Sequence, residues 1–188
     1  MWRAALLTVS LTPALASGQN PDLFIPDTTV SGFLLCDSTS ALSLFGRIHY
    51  DELIDLGPPG GLPRVHFKNA TGKEVLSLYF HPGTYENQYP EVRISMDSSE
   101  TIRAALPIDH FSSGRGVRLG LTSAEIIERF GRSGSGALDA DKNVALSYSI
   151  TGPSPSSFLE RFNYPSYYAH FTFEQDRLID YRFGFEYP

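Results

Sequence analysis

Residues 116–131 read GVRLGLTSAEIIERFG, and residues 32–46 read GFLLCDSTSALSLFG. With one gap, both segments run from a strand-like stretch through a polar capping residue and a short helix to Phe-Gly. The closing glycine of each segment stands where helices commonly end on a residue in the left-handed conformation. Self-similarity of this kind is typical of a duplicated supersecondary unit. We therefore predict two tandem repeats, residues 28–110 and residues 111–188.

The start of each predicted helix carries its own signal. Thr122 and Glu125 are spaced as a capping box, in which the Thr hydroxyl accepts a hydrogen bond from the Glu backbone amide and the Glu carboxylate accepts one from the Thr amide. Asp37 or Ser38 is expected to cap the first helix. Both repeats should therefore contain a short, well-defined helix.

Each predicted helix has one apolar face. Ile126, Ile127 and Phe130 share a face in the second helix, and Leu42 and Phe45 share one in the first. Such a face has to be buried, so we expect the two helices to cover the apolar side of a sheet.

The strands are predicted from period-two alternation and from the length of their connections. Residues 174–177 have the length of a hairpin connection, which makes the neighbouring strands antiparallel. Residues 74–80 resemble residues 144–150, and a Gly-Ser linker over 131–136 precedes the latter. The predicted strands are residues 65–68, 75–80, 91–96, 144–150, 168–173 and 178–187, with residues 101–106 as a further strand or a short helix.

Sorting the strands by parity gives the sheet one apolar side and one mixed polar side. The apolar side is predicted to hold Leu76, Leu78, Phe80, Val92, Ile94, Met96, Val144, Leu146, Tyr148, Phe171, Phe173, Ile179, Tyr181, Phe183 and Phe185. The predicted fold class is therefore α+β: two tandem helix-plus-antiparallel-sheet repeats that form one sheet with helices on one face.

The polar side is the candidate binding surface. Tyrosine and arginine are favoured at protein interfaces, and loops often carry function. A plain solvated face is the alternative, because antiparallel sheets commonly leave one side wet. The candidate partner-binding residues on this face and on the loop over residues 81–90 are Tyr79, His81, Tyr85, Tyr89, Arg93, Tyr168, His170 and Arg182.

The N-terminus indicates export. Residues 1–16 have the basic, apolar and A-x-A order of a cleavable signal peptide, so cleavage is expected near Ala16, with residues 17–27 as a flexible segment. The apolar run is too short to span a bilayer, and we expect no integral membrane segment. A net charge of −6 disfavours nucleic acid as a partner. The predicted location is the periplasm or the extracellular space.

The repeated motif that ends in Phe130-Gly131, together with the later strands 168–173 and 178–187, resembles the repeat of beta-lactamase inhibitory proteins. It is also similar to the small outer-membrane lipoprotein of the beta-barrel assembly machinery. The resemblance implies an exported scaffold that presents a concave sheet to another macromolecule. The chain lacks the inhibitor's disulfide cysteines, since Cys36 is its one cysteine, and it lacks a lipobox. Beta-lactamase inhibition and the families' binding residues are therefore not transferred.

No motif of a known catalytic class is present in the sequence, and we predict neither a catalytic residue nor a cofactor nor a metal. The main hypothesis is a non-enzymatic protein-binding module, such as an inhibitor, an immunity factor or an envelope-assembly factor. The alternative is a secreted or periplasmic hydrolase that uses His81 or His170. A third, weaker hypothesis is a small-ligand or metal carrier, with His66, His81 and His170 on one sheet face.

Overall fold

The computed structural model describes residues 24–52, 61–96, 100–131, 135–138, 144–151 and 157–187. The predicted signal peptide and residues 17–23 lie outside the described residues. The helices are α1 (Ser38–Phe45), α2 (Ser123–Phe130) and α3 (Ser157–Phe162), with a 3-10 turn at Tyr50–Glu52. The strands are β1 (Thr29–Val30), β2 (Phe33–Leu34), β3 (Arg64–Lys68), β4 (Val75–Tyr79), β5 (Glu91–Ser95), β6 (Ile102–Ala105), β7 (Ser135–Leu138), β8 (Val144–Thr151), β9 (Ser166–Glu174) and β10 (Arg177–Phe185).

The predicted α+β class is confirmed. Eight strands form one sheet in the order β6-β3-β4-β5-β10-β9-β8-β7, and β1 and β2 form a separate hairpin. Every pair in the large sheet is antiparallel except β3 and β6, which run parallel, so residues 101–106 supply a strand and not a helix. Two antiparallel meanders, β3-β4-β5 after α1 and β7-β8-β9-β10 after α2, meet at the β5–β10 pair, where Arg93 lies opposite Arg182.

The predicted helix caps are confirmed. The Asp37 carboxylate accepts a hydrogen bond from the Ser40 amide at 2.7 Å, and Thr122 forms a complete capping box with Glu125. The glycine after each helix has a positive φ, 69° at Gly46 and 80° at Gly131, which a residue with a side chain rarely adopts. Both helices therefore begin at a predicted capping residue and end at the predicted glycine.

All three helices pack on the apolar side of the sheet. The ring of Phe45 in α1 lies 4.9 Å from that of Phe67, and the ring of Phe130 in α2 lies 5.4 Å from that of Phe171. In α3, the Phe158 ring lies 5.7 Å from that of Phe185. Each buried aromatic ring of this kind contributes roughly 1.5–3 kcal/mol.

The helix faces differ from the prediction by one residue. Leu42 and Ile127 are 39% and 37% exposed, so the prediction that they face the core is wrong. Ile126 and Phe130 are buried as predicted, and in the first helix the buried neighbour of Phe45 is Ala41 in place of Leu42. Spacing of i and i+4 places those two pairs directly over the sheet, whereas i+1 turns Ile127 about 100° away.

Met96 and Ile179 do not lie in the core, which corrects two further assignments. The pairing of β10 shifts between Leu178 and Asp180, so Ile179 is the extra residue of a bulge and Leu178 takes the buried position. Met96 follows the last paired residue of β5, Ser95, and is 54% exposed. Parity fails in both places because it assumes an uninterrupted ladder.

Two other expectations are corrected by the structure. Residues 74–80 include β4, which lies next to β5, whereas residues 144–150 belong to β8, which β9 separates from β10, so the two segments are not equivalent. The predicted linker over 131–136 already contains the start of β7. Within the predicted N-terminal segment, the Phe24 ring stacks 5.0 Å from that of Tyr148.

Candidate functional site

Register aligns one polar residue from each of six strands in a row across the face opposite the helices. Each member lies directly opposite the next on the neighbouring strand. No helix within the described ranges packs on this face. The row is His66, Ser77, Arg93, Arg182, His170 and Ser147, and we call it the transverse row.

The two arginines at the centre of the transverse row are each paired with a carboxylate. The Arg93 Nε donates a hydrogen bond to Asp180 Oδ2 at 2.6 Å, and Arg182 pairs with Glu91 Oε1. Burial raises the pKa of the Asp180 carboxyl above its ordinary value, although Arg93 opposes that shift. The Glu91 side chain is only 3% exposed. The centre of the face is therefore close to neutral, despite its two guanidinium groups.

Two tyrosines lie beneath these charges. The Arg182 guanidinium lies 4.5 Å from the centre of the Tyr79 ring and 5.9 Å from that of Tyr168. Burial and the adjacent Glu91 carboxylate raise the pKa of Tyr168, so its hydroxyl is neutral and can donate to that carboxylate. Tyr79 is 3% exposed. The face is thus partly closed by its own arginine side chains and is less open than the sequence indicates.

The eight predicted site residues do not form one cluster. Arg93, Tyr168, His170 and Arg182 share the centre of the polar face, with Tyr79 beneath them. Tyr89 is a core residue on the helix side, 1% exposed, with its ring 6.2 Å from that of Phe33. The prediction that the loop over residues 81–90 presents Tyr89 to a partner is therefore wrong, because this part of the loop turns the Tyr89 side chain into the core.

A cavity at one margin of the face was missed by the sequence analysis. It has a volume of about 400 Å³ and is lined by Arg93, Met96, Thr172, Glu174, Ile179 and Asp180. Two apolar side chains therefore border an ion pair at an accessible site. The cavity depends on the β10 bulge, which places Ile179 on the polar face. The sequence does not reveal that bulge, because Ile179 also fits the alternating pattern of an uninterrupted strand.

The two halves of the sheet each contain a cross-strand serine–histidine pair. His66 Nδ1 lies 2.8 Å from Ser77 Oγ, and His170 Nδ1 lies 2.7 Å from Ser147 Oγ. Such a pair is a component of hydrolase sites. In the first half, however, Ser77 is 1% exposed and no substrate could reach it. The same pairing at a sealed position indicates a cross-strand contact of the scaffold, so it gives the hydrolase hypothesis no support.

His81 and Tyr85 lie at the end of the sheet, beside a second and larger cleft. The cleft has a volume of about 590 Å³ and is bounded by the β4–β5 loop, the start of α1 and the end of α3. His81 is 1% exposed, and its Nε2 lies 3.7 Å from Glu91 Oε2. Tyr85 is 80% exposed. Glu91 thus contacts Arg182 on the polar face with one oxygen and approaches His81 with the other.

Comparison with protein-family models, with curated proteins and with solved structures finds no match for this chain. Among the described residues, no helix has the length and apolarity needed to cross a membrane. Nor do those residues include a group of three or more His, Cys, Asp or Glu side chains placed to hold a metal ion. Any function has therefore to be inferred from the surfaces just described.

Proposed function

We propose that this chain is an exported, non-enzymatic protein-binding module whose polar sheet face contacts the partner. The observation that supports the proposal is the cavity beside Met96, where exposed apolar surface adjoins the Arg93–Asp180 ion pair. A single exposed methionine is ordinary on a protein surface. Here it borders a concavity next to a hydrogen-bonded ion pair, and apolar surface in a pocket with polar groups at its rim is typical of an interface anchor.

The partner surface should offer an apolar side chain surrounded by hydrogen-bonding groups. Met96 and Ile179 provide a flexible and a branched apolar wall for such a side chain. Thr172 and Glu174 in the same lining provide polar contacts around it. Since Arg93 and Arg182 are each neutralised by a carboxylate, recognition depends on packing and hydrogen bonds more than on long-range steering.

The resemblance to beta-lactamase inhibitory proteins fits the same proposal. The resemblance implies a sheet with helices on one face and an uncovered opposite face. The described helices do pack on one face of the sheet. An inhibitor, an immunity factor or an envelope-assembly factor would all use that architecture. The choice among them is a question of the partner's identity.

Site-specific cross-linking tests the proposed face. A photoreactive phenylalanine analogue is placed at Thr172 in the full chain, expressed in its host so that any processing takes place, and the products are identified by mass spectrometry. We expect one dominant cross-linked protein. Met96→Arg should abolish that product, because the longer, charged side chain would occupy the cavity. The matched control is Ile127→Arg, since Ile127 is 37% exposed on the helix side.

Two results would count against the proposal. One is a cross-linking pattern from position 172 that shows no dominant partner. The other is an equal loss of the product in Met96→Arg and Ile127→Arg, which would show that the contact does not involve the polar face. Thermal unfolding of both variants confirms that the fold is retained.

A further inference from the structure

The strand register of the large sheet repeats about an approximate two-fold axis between Arg93 and Arg182. These two residues lie opposite each other in the β5–β10 pair, and the pairs on either side of them exchange under the rotation. The same rotation exchanges the β4–β5 pairs with the β9–β10 pairs, and the β3–β4 pairs with the β8–β9 pairs. Residues on the polar face of one half therefore have counterparts in the other half, and their surroundings can be compared.

The two arginines at this axis are paired in the same way. Arg93 is bonded to Asp180, which stands two residues before Arg182, and Arg182 is paired with Glu91, which stands two residues before Arg93. Each half therefore contributes one arginine and one carboxylate to the junction, and the rotation carries one ion pair onto the other.

The residues beside the two arginines differ. Tyr79 lies opposite Glu91, and the face of its ring lies 4.5 Å from the Arg182 guanidinium, while its hydroxyl is hydrogen-bonded to Arg93. The corresponding residue of β9 is Thr172, which lies opposite the carboxylate partner of Arg93. Arg182 is thus stacked on a ring of its own chain, whereas a small polar side chain stands in the corresponding position beside Arg93.

The cavity of about 400 Å³ lies where the second half has no ring. Arg93, Asp180 and Thr172 are all in its lining, and they are the counterparts of the arginine, the carboxylate and the tyrosine of the first half. The Asp180 side chain is 18% exposed, whereas that of Glu91 is 3% exposed. The carboxylate is therefore enclosed in the half that supplies a tyrosine, and it borders a cavity in the half that does not.

The rest of the lining is also suited to an aromatic ring. Met96 is 54% exposed, and a thioether sulfur makes favourable contacts with ring edges. Ile179 supplies an apolar wall. Thr172 and Glu174 at the same cavity can accept a hydrogen bond from a phenolic hydroxyl. An aliphatic side chain would gain from the apolar wall but not from the guanidinium.

We infer that the cavity binds an aromatic side chain of the partner protein, which stacks on Arg93 as Tyr79 stacks on Arg182. A guanidinium group attracts the face of a ring electrostatically, and it does so at Arg182 while it is paired with a carboxylate. Aromatic side chains and arginine are the residues most enriched where interfaces are strongest. The inference rests on the proposed function, because it names the side chain with which the partner contacts the polar face.

Titration with a single aromatic residue tests the cavity without the partner. N-acetyl-tyrosinamide is added to the full chain, processed by its host, and binding is followed by NMR. We expect the Met96 methyl and Arg93 Nε–H resonances to shift, with half-saturation on the order of 1 mM. N-acetyl-leucinamide, which has no ring, should bind at least about threefold more weakly.

Arg93→Lys tests the stacking contact. The variant keeps a positive charge for Asp180 but loses the planar guanidinium group, so it should bind N-acetyl-tyrosinamide about threefold more weakly. Arg47→Lys is the matched control, because Arg47 is in an exposed pair with Glu86 and does not line the cavity. Met96→Arg changes an exposed residue and should abolish binding even if Arg93→Lys does not fold, and melting temperatures report the fold of each variant.

Three results would overturn the inference: no binding of N-acetyl-tyrosinamide, equal affinity for the tyrosine and leucine amides, or equal effects of Arg93→Lys and Arg47→Lys. Failure of the proposed function is a separate result. A dominant partner cross-linked from position 172, together with no preference for the ring, refutes this inference alone. The lack of a dominant partner refutes the proposed function, whatever the cavity prefers.

Discussion

The buried ion pair between Glu91 and Arg182 should be asymmetric in its contribution to stability. The Glu91 side chain is 3% exposed, whereas the Arg182 side chain is 38% exposed. Arg182→Met retains most of the apolar stem and removes the guanidinium group. The remaining carboxylate is then enclosed, with the Tyr168 hydroxyl as its hydrogen-bond donor. Glu91→Gln leaves instead a guanidinium group that can turn toward water.

The expected magnitudes follow from that difference in exposure. Removing one partner of a buried pair costs about 3–5 kcal/mol when the other remains buried. Because Arg182 is partly exposed, we place Arg182→Met at the lower end, about 3 kcal/mol. Glu91→Gln should cost about 1 kcal/mol, close to the loss of a net hydrogen bond. For a chain of this size, 3 kcal/mol corresponds to a decrease in melting temperature of about 6–12 °C.

Urea denaturation of both single variants and of the double variant measures these values as changes in the free energy of unfolding. The double variant should recover part of the loss in Arg182→Met, since the buried charge is then gone. Arg47→Met is the control, because the Arg47–Glu86 pair spans 3.9 Å between side chains that are 63% and 59% exposed, and it should cost at most about 1 kcal/mol. A larger loss in Glu91→Gln than in Arg182→Met would refute the reasoning.

Three other predictions concern the cap of α2, the Cys36 thiol and Gly184 near the end of β10. Thr122→Ala should lower the free energy of unfolding by about 1 kcal/mol in urea. Hydrogen bonds from the Thr122 amide and hydroxyl lower the pKa of Glu125. The stability that the Glu125 carboxylate contributes is therefore present above its ordinary pKa of 4.5 and is lost as the pH falls through the lowered pKa of the folded state. Glu125→Gln should remove this pH dependence of the free energy of unfolding, and a pH profile equal to that of the wild type would contradict the prediction. Cys36 should react with Ellman's reagent at pH 8 far more slowly in the native than in the urea-unfolded protein, because its pKa is raised to about 12; equal rates would show that the thiol is accessible and ionised. Gly184→Ala should destabilise the fold by about 1–3 kcal/mol, since an added Cβ would lie 2.5 Å from Glu91 Cα at a φ of 150°, and a variant as stable as the wild type in urea would disprove that close approach.

Local signals in the sequence predict α1, α2 and most of the strands, but not α3. The caps at Asp37 and Thr122 are short-range hydrogen bonds, so a single sequence contains all their information. A short turn connects residues 168–173 to residues 178–187, and the hairpin formed by β9 and β10 is present where predicted. Strand order is not predicted by these local signals, because the β5–β10 pair joins segments that are far apart in the chain. Periodicity within each segment contains no information about that pairing.

The candidate site could be predicted only in part, for a similar reason. Parity correctly places Arg93, His170 and Arg182 on one face. It does not reveal that Arg182 covers Tyr79, since stacking depends on the register between β10, β5 and β4. Nor does it detect that Tyr89 turns into the core, because the loop before β5 does not follow the strand period. Side-chain burial across strands requires the assembled sheet.

The differences between the two halves of the sheet indicate where function is to be sought. Both halves have a capped helix, a meander and a serine–histidine pair, and these features follow from the shared scaffold. The β9–β10 connection is a turn at Gln175 and Asp176, whereas the β4–β5 connection is a long loop that contains His81 and Tyr85. The β8–β9 connection holds α3, whereas the β3–β4 connection is a short turn.

Both candidate sites lie at positions that only one half possesses. The cleft is formed between the long β4–β5 loop and the end of α3, which are the two connections without a counterpart. The cavity beside Met96 depends on the bulge at Ile179, which the described part of β5 does not repeat. The features common to both halves are explained by folding, whereas the exposed Met96 beside its cavity has no counterpart in the other half. Because folding does not account for that position, it is the one at which variants test binding most directly.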